Sequence, residues 1–185
     1  VSDEVFHLIE RCQRIAALTQ GAFDITYGSV NKKYWNFDTT MARLPDPASA
    51  KKAVKLVDYH NLILKPNDKS VFLKHRGMRI GFGGIGKGYA AEMAKKIMRS
   101  FGAESGVVNA AGDLTAWGHH ISGNSWTIGI ADPNHKPSHF SQFEISDRSV
   151  ATSGDYEKFV VIGGKRYSHT IDPVTGMPAQ GIKSV

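Results

Sequence analysis

The 185-residue chain contains 41% hydrophobic and 22% charged residues. These are ordinary values for a globular protein, and they exclude a disordered chain, a collagen-like repeat and a coiled-coil rod. No apolar run approaches the roughly 20 residues that span a bilayer. Because Cys12 is the only cysteine, an internal disulfide and a multi-cysteine zinc site are also excluded.

The formal net charge is +6. The basic residues are scattered, with short pairs such as Lys51-Lys52 and no long cluster. This distribution favours a solvated basic surface over a nucleic-acid-binding face, so we expect no nucleic acid partner. A phosphate-bearing substrate also suits the charge. The chain begins at Val1, which is compatible with the earlier removal of a signal or lipoprotein segment.

Apolar periodicity predicts three helices. The first covers 2–19, with Ser2 as its cap and Cys12 buried on its apolar stripe as an inert thiol. The second starts at Asp46-Pro47 and runs to about Leu56. The third covers 86–101, and its core-facing stripe is predicted to be Ala90, Met93, Ala94, Ile97 and Phe101.

Short apolar runs between turn residues predict strands. Gly163-Gly164 separates the last two runs and is typical of a two-residue hairpin. The predicted strands are 62–64, 70–75, 78–82, 106–110, 114–117, 126–130, 143–145, 159–162 and 165–171. This order predicts an α+β fold, with mixed or antiparallel sheets and packed helices in one domain.

A glycine cluster lies between a predicted strand and the third helix, in the sequence MRIGFGGIGKGYAA over 78–91. It matches G-x-G-x-x-G and most of a P-loop, but Gly88 stands where a P-loop needs Ser or Thr to bind magnesium. Repeated βαβ units are also absent, which argues against a dinucleotide oxidoreductase. Packing glycines at a strand-to-helix corner remain an alternative. Lys87 and the helix start nevertheless favour a phosphate contact.

The segment SHTIDPVTGMP (168–178) combines a strand end with a turn. Asp172 is expected to bond its own turn backbone, which is a structural role. His169 is a candidate acid/base or phosphate contact. Within the helices, no two histidines are spaced i, i+4 for a metal.

Six segments together, in this order, resemble the ApbE family of magnesium-dependent FAD:protein FMN transferases. Each segment alone is weak evidence for the family, but the collinear order of all six along the chain is specific to it. The segments are GAFDIT (21–26), GGIGKGYAAE (83–92), VVNAAGDLTAWG (107–118), WTIGIADP (126–133), ATSGDYE (151–157) and RYSHTIDPVTGMP (166–178).

The resemblance implies a reaction. FAD is bound and its pyrophosphate is split, FMN passes to a Thr or Ser hydroxyl of a target flavoprotein, and AMP is released. The implied partners are therefore FAD and an acceptor flavoprotein, with Mg²⁺ as the cofactor. Such chemistry needs positive charge near the phosphates and a positioned nucleophile.

The resemblance also implies site residues, position by position. His169 is the candidate catalytic residue, and the backbone carbonyl of Gly84 is the candidate magnesium ligand. The positions that the resemblance assigns to FAD binding are Ala22, Phe23, Asp24, Gly81, Lys87, Asp113, Thr152, Ser153, His169 and Ile171.

The chain departs from the family pattern in two respects. Gly81 stands where the family usually has Asp, so one polar contact to FAD is missing or is supplied elsewhere. The family also continues beyond Val185, with an Asp and a Thr or Ser that complete the magnesium site. We therefore interpret residues 1–185 as the central part of one ApbE-like, T-fold-like domain that lacks N- and C-terminal parts.

Two alternatives to transfer stay open at this point. One is an FAD-binding module without transfer activity, which the missing metal ligands and Gly81 favour. The other is an FAD pyrophosphatase that releases FMN and AMP. The resemblance further implies a bacterial cell envelope location on the periplasmic side of the inner membrane, with tethering by an N-terminal lipid anchor.

Overall fold

Helices and short antiparallel strands make up the computed structural model, which describes residues 1–31, 33–35, 41–132, 139–154, 159–182 and 184–185. Short 3₁₀ turns at Ile25–Ser29 and Tyr59–Asn61 accompany them. The elements are α1 (Asp3–Leu18), α2 (Pro47–Ala53), β1 (Leu62–Lys65), β2 (Ser70–Leu73), α3 (Gly86–Ser100), β3 (Gly106–Ala110), β4 (Asp113–Trp117), β5 (Trp126–Ala131), β6 (His139–Ile145), β7 (Arg148–Val150), β8 (Phe159–Ile162) and β9 (Lys165–Ser168).

The first two helices begin at the predicted caps. The Ser2 side chain accepts a hydrogen bond from the Val5 N–H, and the Asp46 side chain accepts one from the Ser49 N–H. Hydrogen bonds from the Ser49 side chain and backbone also hold the pKa of the Asp46 carboxyl below its usual range. Each cap satisfies an N–H group that the first helical turn leaves without a partner. Helix α2 is shorter than predicted and ends at Ala53.

Every strand pair in the described residues is antiparallel, which confirms the α+β prediction. The pairs are β1 with β2, β5 with β6 and β8 with β9, and a three-stranded sheet has the order β3-β4-β7. Gly163 and Gly164 both have positive φ and turn the chain between β8 and β9, as predicted. Strand β7 was not predicted, since its three residues are too short for a periodic signal.

The contacts divide the chain into two units. Unit 1 comprises Val1–Gly84 and Glu157–Ile182, and unit 2 comprises Ile85–Tyr156 and Lys183–Val185. Unit 1 holds α1, α2 and the hairpins β1–β2 and β8–β9, while unit 2 holds α3 and strands β3 to β7. That residues 1–185 are the central part of one larger domain stays a prediction.

The core of unit 1 joins α2 to the hairpin β8–β9. Its buried members are Trp35, Ala50, Ala53 and Val160. The turn after β9 packs on the same helix, because a Cβ added at Gly176 would overlap the Ala50 carbonyl. This contact fixes the segment that carries the predicted histidine motif against α2.

The prediction of a strand at 78–82 is wrong. The segment pairs with no strand of the described residues, and two of its residues bond instead to the 3₁₀ turn Ile25–Ser29. The Arg79 N–H donates to Ser29 Oγ at 2.8 Å, and the Gly81 N–H donates to the Ile25 carbonyl at 2.8 Å. Gly28 permits this close approach, because a Cβ there would lie 2.7 Å from the Ile80 carbonyl carbon.

The predicted core stripe of α3 is also wrong at both of its ends, since Ala90 at the N-terminal end is exposed as well. Ile97 is 58% exposed and Phe101 is 87% exposed, and the only buried residue of this helix is Ala91. Helical periodicity identifies which residues share a face, but it does not determine which face packs on the sheet.

Within the described residues, none of the helices combines the length and the apolar character that crossing a bilayer requires.

Two glycines with nearly equal φ offer a matched test of the contact between α2 and the turn after β9. Gly176 (φ +74°) abuts the Ala50 carbonyl, whereas Gly164 (φ +75°) has nothing within 4 Å of an added Cβ. We expect Gly164→Ala to lower the free energy of unfolding by about 1–2 kcal/mol through backbone strain alone. Gly176→Ala should lower it by a further 1–3 kcal/mol, roughly, through overlap. Equal losses in urea denaturation would contradict the packing.

Cys12 is fully buried on α1, and burial raises the pKa of its thiol to about 11. The reactive thiolate is therefore scarce at neutral pH and increases only as the pH approaches 11. We expect the native protein to react slowly with a disulfide reagent at pH 8 and fully after unfolding in urea. Cys12→Ala should leave activity intact. Rapid labelling of the folded protein would show that the thiol is accessible.

Candidate functional site

The glycine segment 81–84 lies against two aromatic rings within unit 1. A Cβ added at Gly81 would lie 2.9 Å from Cε1 of Tyr27, and one at Gly83 would overlap the Tyr27 hydroxyl. A Cβ at Gly84 would lie 3.2 Å from Cε2 of Phe23. The structure therefore brings together three of the residues predicted from the resemblance, Phe23, Gly81 and Gly84. It also adds Tyr27, which the sequence analysis missed.

Asp24 organises the loop that carries Phe23. Its carboxylate oxygen Oδ1 accepts hydrogen bonds from the Thr26 N–H and the Thr26 hydroxyl, both at 2.7 Å. The Thr26 Oγ1 in turn accepts the Asp58 N–H at 2.9 Å. Asp24 is 8% exposed and Thr26 is fully buried, so this network is rigidly enclosed. The carboxylate thus has a structural role, and its contact with a flavin stays a prediction.

Ala22 and Phe23 form the rim of this loop. Ala22 is exposed and Phe23 is partly exposed. The Phe23 N–H donates to the Thr19 hydroxyl at 3.1 Å, and the Ala22 N–H donates to the Thr19 carbonyl at 3.0 Å. The end of α1 therefore holds the backbone of Phe23 in place, and its partly exposed ring can stack on a planar ligand.

Lys87 lies in the first turn of α3, in unit 2. Its Nζ is 3.3 Å from Oδ1 of Asp113 and donates to the Ala111 carbonyl at 3.1 Å. An ammonium group has three N–H donors, so these two contacts leave one for a ligand. The Ile85 side chain makes no cap hydrogen bond, and the first N–H groups of α3 lack a side-chain acceptor from this cap. A cation beside a helix N-terminus favours an anionic ligand such as a phosphate.

A tight turn lies directly before Asp113. Ala111 (φ +54°) and Gly112 (φ +99°) join β3 to β4 in a two-residue hairpin. The turn directs the Ala111 carbonyl to Lys87, a contact that sequence reasoning missed. The dipeptide Ala-Gly between two strand-like runs was the available signal for it.

The remaining predicted residues lie in other parts of the two units. In unit 2, the Ser153 backbone pairs with the Val185 backbone in both directions, at 3.1 and 2.8 Å. Among the described residues, no hydrogen bond connects Thr152 or Ser153 to Lys87. The role of both hydroxyl residues in nucleotide binding stays a prediction.

His169 follows β9 in unit 1 and is exposed. Ile171 forms an isolated antiparallel bridge with Pro178, which closes the loop after the histidine. Asp172 Oδ1 accepts the N–H groups of Val174 and Thr175 at 2.7 and 3.2 Å, which confirms its predicted structural role. The backbone around His169 is therefore well defined, and the imidazole is accessible to a ligand.

The described residues do not form a magnesium site by themselves. They contain no cluster of three or more His, Cys, Asp or Glu side chains that could hold a metal ion. Gly84 is exposed and offers only a backbone carbonyl. Magnesium prefers six oxygen ligands in a near-octahedral arrangement, including carboxylates, so these residues do not fit the metal on their own.

Comparison with known proteins gives a consistent result. The "ApbE family" model matches residues 1–185. An FAD:protein FMN transferase of Treponema pallidum is 32% identical over 97% of this chain and 53% of its own length. The crystal structure of an ApbE protein from Thermotoga maritima is 36% identical, with a TM-score of 0.89 over all of this chain and 60% of that one.

The flavin transferase ApbE from Vibrio cholerae is 25% identical, with a TM-score of 0.83 over all of this chain and 59% of that one. The chain spans about half the length of the curated relatives it matches. Since the family model matches every residue and the fold agrees closely, the chain belongs to the ApbE family.

Proposed function

We propose that the protein transfers FMN from FAD to a Thr or Ser hydroxyl of a target flavoprotein and releases AMP. The observation that carries this proposal is the environment of Lys87, whose ammonium retains one donor beside the start of α3. Relatives along the whole chain are named FAD:protein FMN transferase, which supports the same chemistry. FAD is the substrate and the flavoprotein is the acceptor.

The reaction balances without an oxidant or reductant. The acceptor hydroxyl oxygen bonds to the phosphorus of the FMN half of FAD, and the bond from that phosphorus to the bridging oxygen breaks. AMP leaves with the bridging oxygen, and the hydroxyl proton passes to a base. His169 is our candidate for that base, because it is exposed and its neighbours hold the backbone in place.

The residues of the site have different roles in binding FAD. Lys87 neutralises charge on the pyrophosphate, because a charge-assisted hydrogen bond to phosphate is stronger than a neutral one. Phe23 offers a ring face to the flavin. Asp113 and the Ala111 carbonyl hold the Lys87 ammonium in place before the substrate binds. Such preorganisation lowers the reorganisation that the transition state requires.

Magnesium dependence is part of the proposal and would offset charge on the cleaved pyrophosphate. The Gly84 carbonyl is the ligand that we assign to this chain. The described residues do not complete the coordination of magnesium. A location in the bacterial cell envelope, with lipid tethering, is likewise proposed from the family resemblance.

A transfer assay tests the proposed function. We expect the full-length protein, mixed with FAD, Mg²⁺ and an acceptor flavoprotein, to leave fluorescent flavin on the acceptor in a denaturing gel. AMP should appear in equal amount, and EDTA should stop both. AMP release without labelled acceptor would indicate an FAD pyrophosphatase, and FAD binding without AMP would indicate a binding module. Either result would contradict transfer.

Replacement of Lys87 separates phosphate recognition from flavin recognition. We expect Lys87→Ala to weaken FAD binding about ten- to a hundredfold, the value of one charge-assisted hydrogen bond, and to change riboflavin binding little. Lys96→Ala, at an exposed position on the same helix, is the matched control and should change neither affinity. Equal weakening of both ligands in calorimetry would show that Lys87 does not contact phosphate.

A further inference from the structure

Helix α3 lies on β4 through polar contacts. Lys87 meets Asp113 at one end, and a second set of contacts lies two turns further along the helix. There, Lys95 Nζ is 3.4 Å from Oε2 of Glu92 and 3.5 Å from Oγ1 of Thr115. The Thr115 hydroxyl is also 3.4 Å from Oε2 of Glu92.

Thr115 is the centre of this second set. It is 1% exposed, so every hydrogen-bonding group it carries needs a protein partner. A hydroxyl has one donor and two acceptor positions. Thr115 donates to Glu92 and accepts from Lys95 and from the Ser149 hydroxyl, the last at 3.0 Å. All three positions are therefore filled, and the side chain has one satisfied arrangement.

The same strand face carries both sets of contacts. Asp113 and Thr115 are two residues apart on β4 and so point to one side of the sheet. On α3, Lys87 and Lys95 are eight residues apart, or about 12 Å along the axis. Two separated contacts define both the position and the rotation of a helix, whereas one contact leaves the helix free to slide or turn.

Apolar packing fully buries little of this helix. Ala91 is the only buried residue of α3, and Ile97 and Phe101 are mostly exposed. A slip of one residue would shift Lys87 by about 1.5 Å along the axis and rotate it by about 100°. Such a slip would break its contacts with Asp113 and the Ala111 carbonyl.

We propose that Glu92, Lys95 and Thr115 are positioning residues that set the register of α3 on β4 and thereby hold Lys87 on Asp113. The expected effect on FAD binding rests on the proposed function, in which Lys87 contacts the phosphate of FAD. The Lys95 side chain is only 13% exposed, so its pairing with Glu92 also avoids an uncompensated charge.

Thr115→Val removes the hydroxyl and keeps the branched shape. We expect this variant to weaken FAD binding about three- to tenfold, the effect of one hydrogen bond, with riboflavin binding unchanged. Thr115→Ser should restore FAD affinity, since it returns the hydroxyl. Thr127→Val makes the same substitution at an exposed position on β5 and should have no effect. Equal weakening of both ligands by Thr115→Val would overturn the inference.

A double variant distinguishes positioning from an independent effect on the fold. In Lys87→Ala the positioned group is gone, so the added Thr115→Val should not weaken FAD binding further. Losses that add would overturn the inference. Glu92→Gln keeps the side-chain shape and removes the charge that pairs with Lys95. It should weaken FAD binding as Thr115→Val does, and it provides the test if Thr115→Val does not fold. An unchanged FAD affinity in Glu92→Gln would count against the inference.

A stability cycle tests the same positioning without FAD. Urea denaturation of the wild type, Lys87→Ala, Asp113→Ala and the double variant gives the coupling between these two side chains. We expect it to correspond to about a two- to fivefold change in the unfolding equilibrium constant. In the Thr115→Val background this coupling should disappear. Coupling that persists there, or that is absent in both backgrounds, would overturn the inference. If the wild-type protein binds no FAD, the proposed function is contradicted. The stability measurements still test whether Thr115 holds Lys87 on Asp113.

Discussion

The close contact between residues 81–84 and the rings of Phe23 and Tyr27 is the constraint on which the candidate site of unit 1 depends. Side chains at Gly81 or Gly83 would overlap the Tyr27 ring in its present position, so glycine at these two positions permits the close approach. The glycine pattern therefore has a packing reason that does not require a phosphate. The glycines bring backbone and aromatic rings together, and we propose that the contact with phosphate is made by Lys87.

Local signals in the sequence predicted the elements that depend on neighbouring residues. Ser2 and Asp46 cap their helices, and Gly163-Gly164 forms a hairpin, because each of these depends on a few consecutive residues. The segment 78–82 was predicted wrongly for the opposite reason. Its alternation is real, but its hydrogen-bond partners are in the turn Ile25–Ser29, about 50 residues earlier in the chain.

The site could be predicted in part. The resemblance identified Lys87 and Asp113 separately, and the structure shows them in contact. Thr115 and Glu92 were not identified, because a lone Thr in a strand and a lone Glu in a helix are common. Their role depends on a hydrogen bond between two residues that are 23 positions apart in the sequence. The alternation of Asp113 and Thr115 on β4 was the one local signal that these side chains share a face.

The basic residues of the chain are not concentrated in the unit that carries Lys87, the residue for which we propose a phosphate contact. Unit 1 contains sixteen Lys and Arg against ten Asp and Glu, whereas unit 2 contains seven of each. The whole formal charge of +6 therefore belongs to unit 1, and Lys87 belongs to the neutral unit 2. The anion recognition that we propose for Lys87 therefore depends on an oriented ammonium and a helix start, which act over a few ångströms. Net charge alone would have placed it in the wrong unit.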